Sequence, residues 1–208
     1  MSPFMRGLTG ADIERKSMEL IERELGPTSF SPNELDVLKR IIHATADFDF
    51  AKNIRFHEDA VDAGIDAIRK GSPIITDTQM AVAGISKRLL PVKDTMVMSP
   101  MGTDECRQLA GQMGGTQAEA AMEIASRLDP GIVAIGNAPT ALIRLLDMVR
   151  DGRIRPRLII GVPVGFVNAK ESKDALLDSP VPFITTLGRK GGTPVAVAAV
   201  NAIIRLAI

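Results

Sequence analysis

From residue 73 onward, short apolar or β-branched runs recur at 73–77, 95–99, 132–136, 158–162 and 183–187. Helical patterns separate them, at about 104–113, 116–128, 139–149, 171–178 and 194–206. Each run is continuously apolar rather than alternating, the mark of a strand buried on both faces, and strands divided by helices pair in parallel. The crossovers are then right-handed, and ligands sit beyond the carboxyl ends of the strands. The sequence thus predicts an α/β fold, Rossmann-like, with a mostly parallel sheet of about five strands covered by helices on both faces.

An N-terminal helical part, about 9–70, precedes this pattern. Its first helix starts after Thr9, with Asp12 completing a capping-box pair, and stops at Gly26-Pro27. A second is capped by Ser31, with Pro32 at its first position and Glu34 closing the box. Leu35, Leu38, Ile41, Ile42 and Thr45 form its inward stripe. A third spans 58–71. No repeat or Ser/Gly linker divides the 208 residues, so 1–208 reads as one domain with the helical part packed on the α/β part.

Composition removes several function classes. Twenty-five Lys and Arg balance 25 Asp and Glu, and neither Trp nor Tyr occurs, so neither a basic excess nor an aromatic platform speaks for nucleic acid. Cys106 is the one cysteine and only two histidines occur, which argues against disulfides and zinc sites and fits a reducing, cytoplasmic setting. Asp47 and Asp49 are two carboxylates, too few for a metal site, and a metal-free protein is expected. Secretion and membrane spanning lack an apolar run of the needed length.

The loops after the strands are 77–80, 136–140 (including Asn137), 161–166 and 188–194. Three carry glycine and lead into a helix, where unpaired N–H groups suit carboxylate or phosphate. Neither nucleotide fingerprint, G-x-x-x-x-G-K-[ST] or G-x-G-x-x-G, is present. In the last loop Arg189, Lys190, Gly191 and Gly192 precede a helix start at Pro194, so cations and helix-terminal donors converge there; a solvated loop is the plainer alternative. On the second helix, about 100° per residue puts Arg40, His43 and Asp47 on one face. An imidazole between a cation and a carboxylate is a candidate proton-transfer group, and equally an ordinary surface histidine. His57 reads as a capping or surface residue. Cys106 lacks a nearby His partner for catalysis.

RIIHATADFDF (40–50), TDTQMAVAGISKRLL (76–90), AIGNAPTALIRLL (134–146), GVPVGFVNAKESKDAL (161–176) and LGRKGGTPVAVAAVNA (187–202) together resemble the precorrin-8X methylmutase family over nearly the whole chain. Its cobalt-precorrin-8 branch is the more similar. The resemblance implies an isomerase of cobalamin biosynthesis that shifts a methyl group from C-11 to C-12 of a tetrapyrrole, with no separate cofactor. It implies His43 as proton donor and acceptor, Ser17 and Arg40 as substrate contacts, and a homodimer; the Met- and Ala-rich helices of 116–148 offer apolar faces suited to self-association, and equally to a buried core. The family typically has Thr-Arg where this chain has Thr116-Gln117, so Gln117 would bond a substrate carboxylate without the charge. A non-catalytic corrinoid carrier is the rival reading, and a nucleotide-dependent transferase on the same fold a third.

Overall fold

In the computed structural model, which describes residues 7–208, the five expected strands all form: β2 (Ile74–Thr76), β3 (Val97–Met98), β4 (Ile132–Ile135), β5 (Leu158–Gly161) and β6 (Phe183–Thr186). All five are parallel, and a sixth strand, β1 (Ile54–Phe56), joins antiparallel to β6, giving the order β1-β6-β5-β4-β2-β3. The expected count of about five is thus corrected to six, and the N-terminal part is not purely helical. Three residues are too short to show a period, which is why β1 escapes a reading by pattern.

Register sorts the strand side chains into two layers. Ile74, Ile132, Leu158, Ile160 and Ile184 face one side, and Ile75, Val133, Ile135, Ile159 and Phe183 the other. The first layer is covered by α2 (Pro32–Thr45), α4 (Ala60–Arg69) and α10 (Thr193–Leu206), with α1 (Gly10–Leu25) packed outside α2. The second is covered by α6 (Asp104–Met113), α7 (Gln117–Ala125), α8 (Pro139–Arg150) and α9 (Ala169–Leu176). Short helices α3 (Phe50–Asn53) and α5 (Gln79–Gly84) complete the set; α5 occupies part of what the sequence presents as a loop after β2.

Both N-terminal caps form as read. Thr9 and Asp12 close a capping box on α1, and Ser31 and Glu34 close another on α2. On α2 the buried stripe is Val37, Leu38, Ile41 and Ile42, with Leu35 only partly covered. The apolar faces of α7 and α8 are turned inward: Ala120, Ala121, Met122, Ala125, Leu142, Leu145 and Met148 have no exposed surface. They serve the core, which is one of the two uses the sequence leaves open for these faces. Among the described residues, no helix is long and apolar enough to cross a membrane.

Candidate functional site

The outer helices bring the first group of residues together. Ser17, Leu20, Ile21 and Glu24 of α1 face Ile42 and His43 of α2, and with Ala46 and Phe48 they line an open cavity of about 240 Å³. His43 is exposed, directly beside the buried Ile42, so the stripe that fixes α2 also aims the imidazole outward. Ser17 Oγ donates to the Ile13 carbonyl at 2.8 Å, which leaves its lone pairs available. One turn before His43, Arg40 donates to Glu14 at 3.0 Å, and Arg205 lies 3.5 Å from the same carboxylate. The bond from Arg40 holds the Glu14 carboxyl below its ordinary range.

Asp47 does not lie on the helix face with His43. The helix ends at Thr45, Ala46 adopts a left-handed conformation at φ 54°, and the chain turns away. Lys190 Nζ instead donates to Asp47 at 2.6 Å and to Asp49 at 2.7 Å. These bonds hold the Asp47 carboxyl below and the Lys190 ammonium above their ordinary ranges. Strand β1 makes the meeting possible, because pairing with β6 brings residues 47–53 alongside the 188–192 turn; Leu187 N–H donates to the Asn53 carbonyl at 2.8 Å. Lys190 is therefore a strut between the end of α2 and the glycine turn, with its charge already matched.

The second group lies at the carboxyl ends of the strands. Glycine here permits backbone contact: a Cβ on Gly136 would lie 2.7 Å from Thr193 Cα, and one on Gly191 would lie 2.1 Å from the Val162 carbonyl oxygen. Gly192, at φ 127°, donates its N–H to Val162 O at 2.8 Å. Arg189 is exposed and stacks over Phe166, its guanidinium carbon 5.2 Å from the ring centroid. Thr116 caps α7, exchanging bonds with Glu119 and lying 3.4 Å from the Thr140 hydroxyl. Gln117 is exposed, and its carbonyl accepts from Cys106 Sγ at 3.1 Å. Burial raises the pKa of that cysteine, so Cys106 is a packing residue. Arg107 bonds to Asp104 on its own helix and to the carbonyl of Gly102 just before it. His57 accepts from Asp59 N–H and packs edge-on against Phe183, a local turn contact.

One rim turn differs from expectation. The N–H groups of Gly136, Asn137 and Ala138 are not free for a ligand, because the buried Asp77 at the end of β2 accepts all three, at 3.1, 2.7 and 2.8 Å. Burial pushes the Asp77 carboxyl up and the three N–H groups pull it down, with burial the larger effect. The Asn137 side chain itself is exposed. A second residue that sequence did not single out is Lys173 of α9. It has no exposed surface, donates to the Lys190 carbonyl at 2.7 Å and Thr186 Oγ1 at 3.3 Å, and burial pulls its pKa down to about 8. Among the described residues, no carboxylate lies within ion-pair distance of it, and no cluster of three His, Cys, Asp or Glu could hold a metal.

Ser17, Arg40 and His43 thus share the α1–α2 face, and Asn137, Thr116, Gln117, Arg189, Gly191 and Gly192 lie around the strand ends. Lys190 joins the two groups through Asp47 and Asp49. A sequence model of precorrin-8X methylmutase matches residues 12–206. The chain belongs to the precorrin-8X methylmutase family. Cobalt-precorrin-8 methylmutase of Leptospira interrogans is 41% identical, with 97% of each chain covered. The protein of the same name from Priestia megaterium is 43% identical over 94% of this chain and 87% of the relative. A crystal structure titled precorrin-8x methyl mutase, from Thermus thermophilus, is 44% identical with a TM-score of 0.88, covering 95% of this chain and 96% of that one. As a precorrin-8X methylmutase family member the chain is an isomerase, and its fold is the family's α/β fold.

Proposed function

We propose that this chain acts on cobalt-precorrin-8 or its metal-free counterpart, moving the C-11 methyl group to C-12. The observation that carries the reading is His43: an exposed imidazole at an open cavity, with Ser17 across from it and Arg40 one turn away. His43 protonates a ring C nitrogen, which draws electron density from the π system and weakens the bond to the migrating methyl. After the 1,5-shift the same imidazole recovers the proton, so the step is redox-neutral and needs no separate cofactor. An imidazole suits this role because it can both give and regain a proton near neutrality.

Ser17 and Arg40 contact the ring and its near carboxylates. Arg189, Gly191, Gly192, Asn137, Thr116 and Gln117 receive the remaining acetate and propionate arms, while Lys190 fixes the turn to α2. A homodimer acting in the cytoplasm completes the reading. The test is His43→Ala: it should abolish the spectral conversion of the precorrin-8 substrate while the product still binds. Unchanged turnover would overturn the mechanism, whereas a wild type that binds the product without converting the substrate would favour the carrier, which has no use for an imidazole at this place.

A further inference from the structure

We infer that Lys173 is a positioning residue for carboxylate recognition, acting through the Lys190 carbonyl to aim and polarise the N–H of Gly191. The inference rests on the proposed role of the 188–192 turn in holding a substrate carboxylate.

Four observations lead to it. Lys173 is among the largest side chains with no exposed surface, and an ammonium is costly to bury without a counter-charge. Its close polar partners are the Lys190 carbonyl at 2.7 Å and Thr186 Oγ1 at 3.3 Å; Thr186 Oγ1 donates to that same carbonyl at 2.8 Å. The nearest carboxylate along its own helix, Asp174, is bonded to Lys170 instead. Two donors, one of them charged, therefore converge on a single peptide oxygen behind the turn.

That oxygen belongs to the peptide whose N–H is Gly191's. No peptide in the described chain is cis, so the N–H points opposite to the carbonyl, away from Lys173. Gly191 is partly exposed, and its N–H donates to no acceptor among the described residues. A charged donor on the carbonyl strengthens the donor at the other end of the same peptide, since hydrogen bonds in series polarise one another, more so where water is excluded. The Lys190 side chain, by contrast, is neutralised by Asp47 and Asp49. The turn thus draws its anion affinity from a cation the substrate never touches.

The experiment compares absorbance titrations of cobyrinic acid and of the ester made by methylating its side-chain carboxylates, on wild type and Lys173→Met. A protein without Trp or Tyr leaves the corrinoid spectrum clear. The wild type should bind the acid at least tenfold more tightly than the ester. Lys173→Met should weaken acid binding by about tenfold and leave the ester within about twofold. Thr186→Val, which removes the uncharged donor alone, should weaken acid binding by less than about threefold. Acid binding unchanged in Lys173→Met overturns the inference. Equal loss for acid and ester overturns it too, because it marks a purely structural lysine, as does a Thr186→Val effect as large as that of Lys173→Met. A wild type that binds neither ligand overturns the proposed function and this inference with it.

Discussion

Asp77 and Asn137 are 60 residues apart, yet the carboxylate at the end of β2 accepts the Asn137 main-chain N–H at 2.7 Å. With Gly136 and Ala138 as further donors, Asp77 fills the anion site that the start of α8 would otherwise present. An internal carboxylate thus shapes one rim turn, while the 188–192 turn has an internal cation behind it. Negative charge beneath one turn and positive charge beneath its neighbour make them unequal partners for an acidic substrate.

Asp77→Ala leaves three N–H groups without an acceptor but also removes a charge that burial penalises. The lost bonds outweigh the relief, since each unpaired buried donor costs about 1–3 kcal/mol. A net destabilisation of about 3 kcal/mol is expected in urea unfolding. Formate, which restores a carboxylate at the vacated place, should raise the melting temperature of the variant more than that of the wild type. Equal shifts for both would contradict the role given to the three N–H groups.

Arg40→Ala separates binding from stability. Its bond to Glu14 is partly exposed, and such pairs contribute about 0–1 kcal/mol, so unfolding should barely change. Loss of a charge-assisted contact to a substrate carboxylate should raise KM by about tenfold or more and slow turnover. Unaltered affinity together with an unaltered rate would remove Arg40 from the site.

The strands were legible because burial on both faces writes them as continuous apolar runs, Ile132–Ile135 being the clearest. Both capping boxes could be read because they are local, four residues each. What escaped was set by distant contacts. Asp47 leaves the His43 face because Ala46, a non-glycine, takes a left-handed turn toward Lys190, 143 positions on. Lys173 stands in a stretch of alternating charge, AKESKD, that reads as a solvated face, and only the β6 turn packed over it makes it buried. A charged residue ending an apolar strand, as Asp77 does, is the one local signal that could have marked a rim residue.

Lys173 should also shape the pH dependence of stability. Its folded pKa of about 8 lies below the ordinary 10.5, so between these values the unfolded chain holds more protons and stability rises with pH. The full effect is at most about 3 kcal/mol, and about 1 kcal/mol of it falls between pH 7 and 9. Other groups leave that window largely clear. The chain has no tyrosine, the Cys106 thiol is shifted up from 9.0 and opposes the trend as pH approaches and passes that value, and Lys39, Lys170 and Lys190 are held above 10.5. Urea unfolding at pH 7, 8 and 9 should show wild-type stability climbing, with a flatter profile and higher stability at pH 7 in Lys173→Met. A parallel climb in that variant would exclude Lys173 as the titrating group.

Two glycines give opposite expectations for the same substitution. A Cβ at Gly191 would meet the Val162 carbonyl oxygen at 2.1 Å and the Pro163 carbonyl at 3.1 Å, both backbone atoms of the neighbouring rim loop that cannot rotate aside. Gly191→Ala must therefore push the 188–192 turn off that loop, breaking the Gly192 to Val162 bond, at about 3 kcal/mol or more. Gly111 lies within α6, is exposed, and an added Cβ there meets nothing within 4 Å. Gly111→Ala should stabilise the helix by about 0.5–1 kcal/mol through reduced backbone entropy in the unfolded chain, a rise of about 2–4 °C in Tm. Calorimetry of the two variants side by side decides the matter. A Gly191→Ala protein as stable as wild type would mean that the two rim loops are not locked together by backbone contact.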